Sequence, residues 1–264
     1  MEAEFVQWLR ERLPSDARLP LGLGDDAAVL HLGTGGDYVI TTDLVCDGIH
    51  FQLATTAPEL IGRKALAVNL SDLAAMASVP QAAFISLLLP QSADPELVHR
   101  LYNGILDLAC DYHVAVAGGD TNSWDGRLAI NIALVGTVSP RGPLRRGGAL
   151  VGDAILVTGQ LGGSLLEHHL KFEPRVREAR RLHEDYALHS GMDLSDGLAL
   201  DLSRLLTESQ VGAEIEVSSI PISPAARRLS ETSGRTPLQH ALSDGEDFEL
   251  LVTMAPAEAD RLAY

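Results

Sequence analysis

Carboxylates in this chain recur beside Gly, Ser or Thr at the ends of apolar runs. Asp25 and Asp26 follow Gly22-Leu23-Gly24 and precede Ala27-Ala28-Val29-Leu30; Asp43 follows Thr41-Thr42; Asp120 follows Gly118-Gly119. Asp193-Leu194-Ser195-Asp196 stands before Gly197, and Ser71-Asp72 lies in an Ala-rich stretch. A single such turn is ordinary, because Gly and Asp are common turn residues. Recurrence across five segments points to convergence on one site. Converging carboxylates repel one another severely unless divalent cations neutralise them, and few basic residues lie near these segments. Hard oxygen donors with almost no Cys or His select Mg²⁺, with Mn²⁺ as a substitute. Magnesium held by a few carboxylates completes its shell with substrate phosphates, which makes phosphoryl transfer the chemistry to look for.

Familiar nucleotide signatures do not account for the pattern. There is no Walker A sequence and no kinase glycine loop with its partner motifs, and Gly159-Gln160-Leu161-Gly162-Gly163 fails the dinucleotide fingerprint. Structural roles stay open for individual residues. Asp193 or Ser195 suits the N-cap of a helix from Leu198, Asp43 the end of a strand, and Gly118-Gly119 a tight turn. His50, in a Gly-containing loop, reads either as a surface residue or as a substrate contact. Arg146 reads as solvated or phosphate-binding, whereas Arg63 and Lys64 read as solvated helix residues.

The elements that must position these residues alternate between types. Residues 2–13 predict an amphipathic helix with Phe5, Trp8, Leu9 and Leu13 on one side. Strands are expected at 38–42, 82–89, 114–117 and 128–138, with helices at 58–76 and 94–112. Pro140 to Gly152, rich in Gly and Arg, reads as a domain boundary. Beyond it the pattern gives strands at 154–158, 213–217 and 248–253, helices at 198–206 and 223–231, and a closing helix that reaches Tyr264. The helix after Pro174 carries Arg175, Arg177, Arg180 and Arg181, read as a solvated face. On Asp72's own helix, Val68 and Met76 share its face at i±4, so that carboxylate lies against the core or an interface. Strands and helices mix in both halves, which argues for an α+β fold of two domains.

Composition sets outer bounds. The length of 264 residues suits one large domain or two smaller ones. A formal charge of −16 argues against a nucleic-acid partner, which needs a basic face. Cys46 and Cys110 have no zinc-like spacing, so a reducing compartment is expected. Glu2, Glu4 and Glu11 leave no signal-peptide pattern, and no apolar run approaches the roughly 18 residues of a membrane span. A cytoplasmic protein without membrane contact is the expectation.

GLGDDAAVL, TTDLVCDGIHF, KALAVNLSDLAAM, AGGDT, VTGQLGGS, MDLSDGL and LSDGEDFEL occur in an order that resembles the thiamine-monophosphate kinases, from about residue 20 to the end. The wider superfamily is that of aminoimidazole ribonucleotide synthetase and selenophosphate synthetase. The resemblance implies an N-terminal mixed-sheet domain over 1–140 that binds ATP and Mg²⁺ and dimerises through its strands. It also implies an α+β domain over 150–264 that lacks the family's last segment. The activity it implies is ATP-dependent phosphorylation of thiamine monophosphate to thiamine diphosphate, by in-line transfer with several Mg²⁺ ions. By motif, Asp26, Thr41, Thr42, Asp43, Asp72, Asp120, Asp193 and Asp196 resemble the family's metal ligands, with Asp43, Asp120 and Asp196 at the centre of the chemistry. Gly119, Asp120, Arg146 and Ser195 resemble its nucleotide contacts, and His50 and Glu246 its thiamine-phosphate contacts. Asp244 stands where the family usually has Gly, adding a charge near the substrate loop. Two alternatives remain at this stage. One is an enzyme of the same superfamily acting on another acceptor, although the N-terminal Cys beside Lys that selenide chemistry would want is absent. The other is an inactive Mg-nucleotide-binding module.

Overall fold

The computed structural model describes residues 2–166 and 168–262. In chain order the elements begin α1 (Glu2–Arg10), β1 (Ala28–His31), β2 (Asp37–Cys46), α2 (Pro58–Ala75), β3 (Val79–Pro90), α3 (Pro95–Asp111), β4 (Ala115–Trp124) and β5 (Ala129–Thr137). They continue β6 (Ala154–Val157), α4 (His168–Lys171), α5 (Val176–Asp185), β7 (Leu188–Asp193), α6 (Leu198–Ser209), α7 (Pro224–Ser233), α8 (Pro237–Ser243), β8 (Leu250–Met254) and α9 (Pro256–Leu262). The architecture is α+β. One mixed sheet has the order β1-β2-β5-β3-β4, with β3 and β4 parallel, and a smaller antiparallel sheet has the order β6-β8-β7.

α2 is the centre of the molecule. Its Ala and Leu residues are apolar on nearly every side, and 13 of its 18 residues are buried. It packs on β2 and β5 of the large sheet and also touches α4, α5 and β7. Pro58 starts it, where a missing N–H costs nothing. It crosses α3 at two glycines: a Cβ on Gly62 would come within 1.9 Å of the Leu101 carbonyl oxygen, and one on Gly104 within 1.8 Å of that of Glu59. The main core runs from Val39, Ile85 and Ile132 across Leu66 and Leu70 to Phe172, Phe248 and Met254, so it does not stop at 140–152. A second cluster joins Met192, Leu202, Leu205 and Leu251.

Several elements differ from the sequence expectation. Residues 213–217 alternate like a strand but are exposed and have no ladder partner among the described residues, and a 3₁₀ turn occupies Val217–Ser219 with Glu216 accepting from the Ser218 N–H. Gly118-Gly119 is not a turn. β4 runs straight through it as an exposed edge strand, where a Cβ on Gly119 would meet the Ile85 carbonyl oxygen at 1.7 Å. Asp43 does not end its strand, because β2 pairs with β5 as far as Cys46. The apolar side of α1 stays outside the core, with Phe5 stacked on Trp8 and both exposed. Arg175 is no solvated residue: its guanidinium donates twice to the buried Glu249 carboxylate, at 2.8 Å each. Tyr264 lies outside the described residues.

Gly62→Ala is expected to destabilise the protein by about 1–3 kcal/mol, because the new methyl group meets backbone that cannot rotate away. Urea denaturation measures it, and an unchanged midpoint would show that the helices separate at no cost.

Candidate active site

β2 alternates its side chains, and that alternation divides the Thr41-Thr42-Asp43 motif. Thr41 and Asp43 face α2, whereas exposed Thr42 lies on the other face and accepts a hydrogen bond from Asn131 Nδ2 at 2.9 Å. The buried Thr41 hydroxyl donates to the Asp72 carboxylate, and Asn69 Oδ1 accepts from the Asp43 N–H at 3.2 Å. One helical stripe of α2 at i, i+4 and i+8 places Lys64, Val68 and Asp72 along a cavity of about 510 Å³. The end of β7 delivers Asp193, which accepts from Ser71 Oγ at 2.6 Å. Gly24, at a φ of 121°, turns the chain so that Asp26 enters the same region.

Asp26, Asp72 and Asp193 each present a carboxylate oxygen, and these oxygens lie within 4.8 Å of one another. Burial holds all three carboxyls above the usual range, well above it for Asp72 and Asp193, where repulsion from neighbouring carboxylates adds to the effect. Asp43 is pushed up by burial alone. Arg146 donates to Asp26 Oδ1 at 2.5 Å and offsets part of the burial effect, but Asp26 Oδ2 is buried with no hydrogen-bond partner among the described residues. An orphaned buried carboxylate oxygen beside two more carboxylates, with only oxygen donors, fits a divalent metal such as Mg²⁺.

The opposite end of the cavity is built on Lys64. Its side chain is fully buried, and Nζ donates to the His50 carbonyl oxygen at 2.7 Å and to the Glu246 carboxylate. Burial lowers the Lys64 ammonium and Glu246 acts against that, while burial also lowers His50. His50 Nδ1 accepts from the Cys46 N–H at 3.0 Å. Glu246 sits in the left-handed region at a φ of 56°, fixed by its N–H to the Ser195 carbonyl oxygen at 2.7 Å.

The structure therefore gathers Asp43, Asp72, Asp193, Ser195, Asp196, His50 and Glu246 around one cavity, with Thr41 bonded to Asp72 on its wall and Asp26 beside Asp72 and Asp193. Asp196 is half-exposed and held by Arg204, and Ser195 and Asp193 do not cap α6, whose N-cap is Gly197. Gly119 and Asp120 lie apart on the exposed edge β4, and Thr42 on the outer face of β2. Arg146 is bonded to Asp26 rather than solvated. Lys64 is the residue that sequence reading missed. Its i+4 and i+8 relation to Val68 and Asp72 carried the signal, since Asp72 already pointed inward.

Residues 24–138 match the family model described as AIR synthase related protein, N-terminal domain. A thiamine-monophosphate kinase of Rhodopirellula baltica is 46% identical over 98% of this chain and 84% of its own length. The chain belongs to the thiamine-monophosphate kinase family. A solved structure of AaThiL complexed with AMPPCP and TMP superposes with a TM-score of 0.87 at 30% identity, over 97% of this chain and 86% of that one. The thiamine monophosphate kinase structure from Aquifex aeolicus gives a TM-score of 0.81 at 30% identity, over 97% and 89%.

Without metal, the acidic cluster makes stability depend on pH. Burial pushes up to about 6 both Asp25, next to Asp26, and Asp201, which lies on α6 and accepts from the Asp196 N–H at 2.9 Å, so between the ordinary carboxylate range and that value the folded chain binds more protons than the unfolded chain. Stability should therefore fall as pH rises through about 6. Thermal melts in chelator test this, together with Asp72→Asn. That substitution is expected to raise the metal-free melting temperature, by about 2–4 °C per kcal/mol of repulsion relieved, and to shrink the further rise on adding Mg²⁺. A metal-free melting temperature that falls on substitution would contradict a repulsive cluster.

Proposed function

We propose that this protein transfers the γ-phosphoryl group of ATP to the phosphate of thiamine monophosphate, giving thiamine diphosphate and ADP. The observation that carries the proposal is the single cavity shared by a carboxylate cluster at one end and His50, Lys64 and Glu246 at the other. The 46% identical kinase supports it, as does a solved relative that holds an ATP analogue together with TMP.

In this reading Asp26, Asp43, Asp72 and Asp193, with Thr41 and Asp196, would hold Mg²⁺ at the carboxylate end of the cavity, where the ATP phosphates lie. Thr42 and Asp120 complete the set by motif. Bound Mg²⁺ supplies the positive charge that lets two phosphate anions approach. Gly119, Asp120, Arg146 and Ser195 orient the nucleotide, and His50 and Glu246 orient thiamine monophosphate. Asp43 and Asp196 would fix the transferring phosphoryl group from the cavity wall, and Asp120, which lies outside the cavity on β4, joins them by motif alone. An alkyl phosphate loses its second proton near pH 6, so the acceptor oxygen attacks directly and no strong general base is required.

We assign most of the metal and nucleotide contacts to a domain over 1–140, with Asp193, Ser195 and Asp196 coming from a domain over 150–264 and Arg146 from the segment between them, in a cytoplasmic homodimer. The outer face of the large sheet supports dimerisation. Leu44 and Phe84 are about half exposed there, and β4 leaves its edge unpaired among the described residues. No helix among the described residues is long and apolar enough to cross a membrane.

A steady-state assay with ATP, Mg²⁺ and thiamine monophosphate tests the reaction. Asp43→Asn is expected to lower kcat by at least about 100-fold with an unchanged circular dichroism spectrum, since a group acting on the reacting phosphates is lost. Binding of ATP and Mg²⁺ without diphosphate formation would refute the kinase reading. Phe84→Asp is expected to give a monomer in sedimentation velocity; a dimer that survives it does not use this face.

A further inference from the structure

Among the described residues, Lys64 is the one Lys or Arg lining a cavity that also presents His50, Asp43, Asp72, Asp193, Asp196 and Glu246. Its placement is costly to the fold. A fully buried ammonium needs hydrogen-bond partners, and here they come from two separate loops, the His50 carbonyl oxygen and the Glu246 carboxylate. An ammonium has three donors, so one remains beyond these two. Glu246 is the less buried partner, with a side chain 20% exposed, and it faces the cavity from a backbone in the left-handed region. Asp247 anchors that loop by accepting from the Gly162 N–H at 2.9 Å and from the Ser164 hydroxyl. The loop is thus fixed while the Glu246 side chain borders open space.

We propose that Lys64 and Glu246 are a preformed ion pair that the acceptor substrate splits, with the Lys64 ammonium taking the substrate's phosphate and the Glu246 carboxylate taking its cationic ring. This rests on the reading of thiamine monophosphate as acceptor. That molecule carries a phosphate and a permanently charged thiazolium, so its two charges match the two ends of the pair. Before binding, each buried ion is neutralised by the other, and after binding each is neutralised by the substrate. No charge is left alone at either stage, which is the condition for keeping ions buried. The exchange makes Lys64 a specificity residue. A ligand with the ring but no phosphate would have to compete with Lys64 for Glu246 and would offer Lys64 nothing in return.

Calorimetric titration of thiamine monophosphate and of thiamine into protein loaded with Mg²⁺ and AMPPCP tests this, using wild type, Lys64→Met and Glu246→Gln. Lys64→Met, similar in length, is expected to weaken thiamine monophosphate about 10- to 100-fold, the loss of one charge-assisted contact, while thiamine binds as well as before or more tightly. Glu246→Gln is expected to weaken thiamine at least as much as its phosphate. Equal weakening of both ligands by Lys64→Met, in protein with wild-type melting temperature and AMPPCP affinity, would assign Lys64 a structural role and overturn the proposal. So would Glu246→Gln with unchanged thiamine affinity, a result that stands even if Lys64→Met does not fold. Wild type that shows these affinities but forms no diphosphate refutes the kinase reading alone.

Discussion

Like charges held close together in a dry place are the constraint on which this structure depends. Asp72 projects from a helix that is buried on nearly all sides, and Asp26 and Asp193 come to meet it from separate parts of the chain. Nothing in hydrophobic packing favours that arrangement. It stands because Thr41, Ser71 and Arg146 each satisfy part of one carboxylate, and because the remaining oxygens suit a divalent cation. The cluster is consequently poor as glue and good as a receptor for positive charge.

α2 reconciles that receptor with a stable fold. Gly62 on α2 and Gly104 on α3 let the two helices cross, and the larger residues of α2 fill the space between the two sheets. Along one stripe the same helix carries Lys64 and Asp72, opposite charges two turns apart. A rigid interior helix fixes the distance between the ends of the site, as positioning two phosphates for transfer demands. The strand end at Asp193 is registered against it by the bond that Ser71 donates, and the loop at Glu246 by the bond that Lys64 donates, with the Glu246 N–H donating in turn to the Ser195 carbonyl oxygen.

Buried ion pairs elsewhere show the contrast. Arg175 and Glu249 meet in a two-pronged contact, with Thr158 donating to the same carboxylate at 2.6 Å, and no oxygen is left over. That pair closes the small sheet against the chain before α5. Arg146 and Asp26 meet through a single bond, and both Asp26 Oδ2 and Arg146 Nε stay unpaired. An incompletely satisfied pair beside an open cavity is equipped to take a further partner.

Much of this was legible in the sequence because it is local. The helix at Pro58, the strands around 82–89 and 128–138, and the Asp-bearing turns each follow from short-range periodicity and turn chemistry, and the ordered motifs carried the family. Period-two alternation separates Thr42 from Thr41 within the expected strand 38–42, and from Asp43 because β2 continues to Cys46. What only the tertiary structure decided was which charges are dry. Lys64 and Arg175 look like any surface Lys and Arg on a helix, and only Glu246 and Glu249, more than 70 residues away in the chain, reveal them as buried. Residues 213–217 show the reverse, a strand-like alternation that stays exposed because no neighbour offers a ladder. Local pattern determines an element, but burial and pairing are properties of contacts between distant segments. For that reason the carboxylates were readable one by one, and their counter-ions only in three dimensions.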